Sequence, residues 1–178
     1  VRTKVILISG HARNGKDTLA EAIKNEYESL DASVMVIHFA DLLKFICRTY
    51  FGWSGEKNSE GRRILQYVGT DLVRTRKPGY WVDFVGDFLE LFGEYWDYVI
   101  IPDCRFPNEV IRLAKRGFDT VHVRVIRDNF DNRLTEEQKN HPSETALDNF
   151  PADIYIHNNG TLDDLYKKVN RLIMEKKL

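Results

Sequence analysis

The sequence predicts an α/β fold: about five strands in a mostly parallel sheet, covered by helices on both faces to make three layers. Strand and helix signals alternate along the chain, as they do where crossover helices join parallel strands. The run Val5–Ser9 is hydrophobic throughout, as expected of a central strand buried on both faces. Directly between that strand and the first helix lies a short turn carrying Gly10 and Gly15.

Each element follows from a local signal. Residues 17–29 read as a helix with an apolar stripe of Leu19, Ala22, Ile23 and Tyr27. Val34–Phe39 reads as a second strand, after which Asp41 is expected to cap a helix carrying Leu42, Leu43, Phe45 and Ile46. Residues 60–74 and 80–92 predict two more helices, separated by the break Lys77-Pro78-Gly79. Tyr98–Ile101 is a third strand, and a helix from Pro107 to Arg116 stops at Gly117. Thr120–Ile126 alternates Val121, Val123 and Val125 with other residues, and Asp153–Ile156 is a short last strand. Asn158-Asn159-Gly160 turns the chain, Thr161 caps, and Leu162, Leu165, Val169, Leu172 and Ile173 form the inward stripe of a final helix. A helical insertion at about 41–95 and a polar stretch at about 127–150 interrupt the alternation.

Composition narrows the function. At 178 residues with no Pro/Gly/Ser-rich linker, the chain is expected to form one domain over 1–178. A 43% hydrophobic share excludes a disordered chain. Twenty-six basic residues against 27 acidic ones argue against general nucleic-acid binding. Apolar runs such as Val5-Ile6-Leu7-Ile8 are strand-sized, so no membrane span is expected. Val1-Arg2-Thr3-Lys4 leads straight into a strand without a signal-peptide pattern. Cys47 and Cys104 lie far apart without metal-ligand spacing and read as reduced, buried thiols. These features together predict a cytoplasmic protein; they leave the oligomeric state open, a homodimer included.

The segment Ser9-Gly10-His11-Ala12-Arg13-Asn14-Gly15-Lys16-Asp17-Thr18 contains GxxxxGK between a strand and a helix, the context a phosphate-binding loop requires. The glycines let successive N–H groups point at phosphate oxygens, and the helix N-terminus adds its positive end. Lys16 is then placed to bridge the β- and γ-phosphates of ATP. The expected ATP contacts are Gly10, Ala12, Arg13, Asn14, Gly15, Lys16, Asp17 and Thr18. Asp17 stands where a hydroxyl residue usually follows the lysine. It is expected to hold a magnesium-bound water, to cap the helix, or both, with Thr18 beside it.

Asp103, at the end of the third strand, is the place where such enzymes hold Mg2+ or its water; the alternative is a turn aspartate. Arg105 lies at the strand's C-terminal edge, where open α/β sheets bind ligands, and is expected to contact phosphate rather than to form a structural ion pair. Glu109 is assigned to capping the following helix. In the stretch 127–150, read as a lid, Arg127 and Arg133 are candidates to close over the transferring group, and His141 reads as a hydrogen-bonded loop residue. Arg63, Gln66, Tyr67, Thr70 and Arg74 share one helical face, which suits recognition of an acceptor phosphate and base edge as well as it suits a solvated face. Trp81 is the candidate for stacking on a base.

These segments together resemble the phage- and bacterial-type deoxynucleoside monophosphate kinases. The similar stretches are SGHARNGKDTLA, FADLLK, GRRILQYVGTDLVR, PGYWV, IPDCRFPNE, HPSE and DIYIHNNGTLDDL, in family order over nearly the whole chain. The resemblance implies a P-loop kinase with an acceptor-binding insertion and a lid, using ATP and Mg2+ on a nucleoside monophosphate. It places Lys16, Asp17 and Thr18 at ATP and magnesium, and Asp41, Lys44, Arg63, Gln66, Arg74 and Arg105 around the acceptor. Arg127 and Arg133 fall on the lid. Phosphomevalonate kinase and dephospho-coenzyme A kinase share the GKD loop and remain alternatives, as does a nucleotide-binding regulatory module.

Overall fold

The computed structural model describes residues 3–56 and 58–178; Val1 and Arg2 of the N-terminal segment read above lie outside the described residues. Five strands, β1 (Lys4–Ser9), β2 (Val34–Val36), β3 (Tyr98–Ile101), β4 (Asp119–Ile126) and β5 (Ile154–His157), form one sheet in the order β2-β3-β1-β4-β5. All four neighbouring pairs are parallel. Parallel neighbours need long crossovers, and the helical segments supply them.

Central β1 shows why its sequence is apolar without alternation: Val5, Ile6, Leu7 and Ile8 are all fully buried. Ile6 and Ile8 pack under α1 (Lys16–Ser29) and the C-terminal helix, with Leu19, Ile23 and Val169. Val5 and Leu7 face the opposite layer, with Val85, Leu89 and Leu113. Each such side chain contributes roughly 1.5–3 kcal/mol by leaving water.

The second layer contains α2 (Ala40–Tyr50), α3 (Ser59–Gln66), α4 (Tyr80–Phe92) and α5 (Pro107–Lys115). β2 ends at Val36, short of the expected Phe39. Asp41 is not the cap of α2. The Asp103 carboxylate accepts from the Phe39 and Ala40 N–H groups at 2.9 and 3.0 Å, while Asp41 sits in the first turn and accepts from the His38 N–H. The capping acid comes from just beyond the neighbouring strand β3, far along the sequence, so no local signal marks it.

The helix expected over 60–74 is two pieces. α3, capped by Asn58, gives way to a π-helical stretch over Tyr67–Arg74. The wider π winding turns the far end of this segment away from the face that α-helical spacing assigns to Arg63 and Arg74. In α5, Glu109 does cap: its carboxylate accepts from the Arg105 and Phe106 N–H groups.

The polar stretch after β4 also divides. Residues 127–135 form an exposed loop leading to α6 (Glu136–Lys139) and α7 (Pro142–Thr145). Beyond α7 the chain is docked rather than free: Leu147 is buried in the second-layer core, with Phe150 packed against it. Arg124 of β4 donates to the carbonyls of Leu147, Asp148 and Phe150. The final helix α8 (Leu162–Met174) is capped by Thr161 as expected. Among the described residues no helix is long and apolar enough to cross a membrane.

Candidate active site

The phosphate loop leaves the C-terminal end of β1 and closes on two glycines that nothing larger can replace without displacement. Gly10 has φ +144°, and a Cβ there would meet the Val125 carbonyl oxygen at 2.4 Å. Gly15 has φ +95°, and its Cβ would meet the Asn158 side-chain nitrogen at 2.5 Å. Non-glycine residues are strained at such angles. Asn158, in the turn after β5, donates to the Asn14 carbonyl at 3.0 Å, and buried Asn14 donates to Val125 at 3.3 Å. The loop is therefore tied to β4 and to the turn after β5, and Asn14 spends its side chain on that tie.

Beneath the loop, Ser9 and His122 form a buried pair at 2.7 Å. The Pro151 carbonyl lies 3.2 Å from His122 Nδ1 and can only accept, so Nδ1 carries the proton and Nε2 accepts from the Ser9 hydroxyl. Burial holds the imidazole pKa below its usual value, in keeping with a neutral ring.

Lys16 folds back over the loop and donates to the Gly10 and His11 carbonyls at 2.7 and 3.0 Å. Burial, and then the neighbouring Arg105 charge, lower its pKa to about 8. Arg105 donates to the Ser143 carbonyl and to the Glu144 carboxylate. The other Glu144 oxygen accepts from the Ala12 N–H at 2.9 Å. Burial works to raise the pKa of Glu144, but Arg105 and the loop N–H prevail and hold it below the usual range. A cavity of about 330 Å³ opens here, lined among others by Gly10, His11, Arg105, Arg124, Arg127 and Glu144.

At the head of α1, Asp17 and Thr18 are exposed. His38 Nε2 lies 3.7 Å from Asp17, and its other ring nitrogen lies 3.5 Å from Asp41. The Asp17 carboxylate raises the His38 pKa above its ordinary value. Among the described residues no group of three or more His, Cys, Asp or Glu side chains could hold a metal alone.

The structure thus brings the loop, Arg105 and Arg127 to one cavity. Arg127 is exposed there, its guanidinium 4.0 Å from the Phe130 ring centroid. Arg133 is exposed and lies outside the cavity lining, and Arg13 is also exposed. Arg63 is exposed and Gln66 half-buried on α3, while Lys44 pairs with Asp41 at 3.2 Å on α2. Two expected acceptor residues are differently employed. Arg74 is pinned by Glu109 at 2.7 Å and stacked on the Phe106 ring, in a structural ion pair joining the π-helical stretch to α5. Trp81 is 3% exposed and its indole N–H donates to the Gly69 carbonyl, so it has no open face for a base and belongs to the core. Residue-by-residue reading missed Glu144 and Arg124. Glu144 lies in a polar stretch and Arg124 in β4 between buried Val123 and Val125, and only the fold brings them to the loop.

The deoxynucleotide monophosphate kinase family model matches residues 30–169. This chain belongs to that family. The deoxynucleotide monophosphate kinase of Enterobacteria phage T4 is 32% identical over 63% of this chain, which spans only 44% of that relative's length. A putative deoxynucleotide monophosphate kinase of Acanthamoeba polyphaga mimivirus is 26% identical, with 93% of each protein covered. Among solved structures, an APS kinase of Mycobacterium tuberculosis in complex with AMPPNP and APS has a TM-score of 0.56 at 11% identity, covering 97% of this chain and 98% of that one. Shikimate kinase from Aquifex aeolicus has a TM-score of 0.50 at 14% identity, covering 98% of each chain. These likenesses establish the α/β P-loop fold, and the family match makes the chain a nucleotide kinase relative.

Proposed function

We propose that the chain transfers the γ-phosphoryl group of ATP to a deoxynucleoside monophosphate, forming the diphosphate, with Mg2+ and in the cytoplasm. The observation that carries the reading is the meeting of a glycine-closed loop and Arg105 at one cavity, with Lys16 held against the loop and close enough to Arg105 for their charges to interact. The family match supports a deoxynucleotide acceptor over an isoprenoid or a coenzyme precursor.

In this reading residues 1–178 work as one kinase domain, with an acceptor-binding insertion at about 41–95 and a lid at 127–150. The loop N–H groups and the N-terminus of α1 bind the donor phosphates. Lys16 leaves the Gly10 and His11 carbonyls for the β- and γ-phosphate oxygens. Arg105 neutralises charge on the transferring group, and Arg127 and Arg133 close over it. Arg63 and Gln66 hold the acceptor from α3. Asp17, Thr18 and Asp103 would hold Mg2+ or its water, and the ion would supply charge neutralisation between the phosphates. The acceptor phosphate is already an anion near neutral pH, so the mechanism needs no general base. Positioning and charge stabilisation account for the catalysis.

The test is ATP consumption with Mg2+ across a panel of ribo- and deoxyribonucleoside monophosphates. One or a few deoxynucleotides should stimulate ADP formation and yield the matching diphosphates. Protein that binds ATP but is stimulated by no monophosphate would overturn the acceptor assignment.

A further inference from the structure

Glu144 occupies a position whose partners are those of a phosphate group. One carboxylate oxygen accepts from the Ala12 N–H of the loop at 2.9 Å, and the other accepts from Arg105. Lys16 is close enough for its charge to act on the carboxylate, yet its ammonium donates to loop carbonyls instead. The Glu144 side chain is 8% exposed, so these contacts are made away from bulk water. A loop N–H, an arginine and a nearby lysine are the set that a phosphate oxygen seeks, and a carboxylate presents two acceptor oxygens of similar reach.

The carrier of this side chain is suited to withdrawal. α7 has four residues, and the segment after it is anchored by Leu147 in the second-layer core as well as by polar contacts, so withdrawal of Glu144 is a movement of α7 about that anchor. Arg124 grips three carbonyls, and His11 Nε2 lies 3.2 Å from the Asp148 carboxylate. On the N-terminal side the connection runs back through the exposed residues 127–135.

We propose that Glu144 is the resident anion of the phosphate site: it occupies the loop and Arg105 in the unloaded protein, and nucleotide phosphate displaces it. Glu144 then sets phosphate affinity, because the incoming group must outcompete a carboxylate already in place. Arg105 exchanges one anion for another and does not stand uncompensated in a half-buried cavity. This inference rests on the phosphate-site reading above. The opposite role, a fixed brace that aims Arg105 and the loop, predicts the opposite sign in binding.

The experiment is calorimetric titration of inorganic pyrophosphate, without nucleotide, into the wild-type chain, Glu144→Gln, Glu144→Asp and Lys16→Ala. Glu144→Gln should bind pyrophosphate roughly tenfold more tightly than wild type, since the competing charge is gone. Glu144→Asp, one methylene shorter, should also gain affinity, and serves if the glutamine variant does not fold. Hydrogen exchange on the wild-type chain needs no variant: saturating pyrophosphate should speed exchange in residues 141–146 as α7 is released. Unchanged or weaker binding by the variants, or slower exchange in 141–146, would overturn the inference. If wild type binds pyrophosphate and Lys16→Ala does not, such a result leaves the phosphate site itself standing. No Lys16-dependent binding by the wild type would remove both readings.

Discussion

The phosphate loop and the helical insertion differ in how they are held. The loop grows from a strand with four fully buried apolar residues, and it is tied by Val125 and Asn158 from two other parts of the chain. The insertion keeps a small cluster of its own, built on buried Cys47, Trp53 and Val68, and leaves Phe45, Tyr50 and Tyr67 more than half exposed. Charge stabilisation of a transferring phosphoryl group needs donors that do not reorganise during the reaction, and the loop has that rigidity. Recognition of an acceptor tolerates, and for closure needs, a region with fewer buried contacts. In the proposed mechanism, the fold separates phosphoryl transfer from acceptor selection.

The largest effect should come where the insertion is joined to α5. Arg74→Ala leaves Glu109 buried at 1% exposure without its guanidinium, and should cost about 3–5 kcal/mol of stability in denaturant unfolding. A loss below about 1 kcal/mol would mean that the π-helical stretch is anchored elsewhere. Lys16→Ala should cut kcat on the order of a hundredfold or more by removing charge stabilisation; near-normal turnover would take the loop out of the mechanism. Arg63→Ala sharpens the contrast from the insertion side. It should raise the acceptor KM about tenfold, with little change in the KM for ATP, as loss of one charge-assisted hydrogen bond implies. An equal rise in both would merge the two regions functionally.

The smallest effect is a pH slope beneath the loop. Burial lowers the His122 pKa in the folded chain, so the unfolded chain takes up a proton first as pH falls. Its contribution to stability is full above about pH 6.5 and declines below it, until the folded-state pKa is reached. Thermal melts between pH 7 and pH 5 should therefore fall more steeply for wild type than for His122→Gln. Parallel slopes would show that the Ser9–His122 pair titrates no differently from the unfolded chain.

Legibility followed the same division. β1, the loop and α1 are contiguous, so hydrophobic run, glycine spacing and helical stripe could be read together; the alternation predicted a mostly parallel sheet, and every pair in it is parallel. Features made by distant partners could not be read in that way. The cap of α2 is Asp103, which lies 63 residues after Ala40, and Asp41 was the nearest local substitute. Trp81 read as the candidate for stacking on a base, and its burial in the core overturns that. Arg74 left its expected face because the helix changes winding after Gln66, a change that α-helical periodicity cannot anticipate. Glu144 sat in a polar stretch that read as a lid, and its meaning came from the Ala12 N–H and Arg105 being brought to it.

The most direct measurement is the fate of the γ-phosphoryl group, followed with γ-labelled ATP, Mg2+ and the deoxynucleoside monophosphates in wild type and Lys16→Ala. The label should appear in a deoxynucleoside diphosphate with wild type, and at least about a hundredfold more slowly with the variant. Label released only as inorganic phosphate, or transferred equally well without Lys16, would contradict the assignment of this site to phosphoryl transfer between nucleotides.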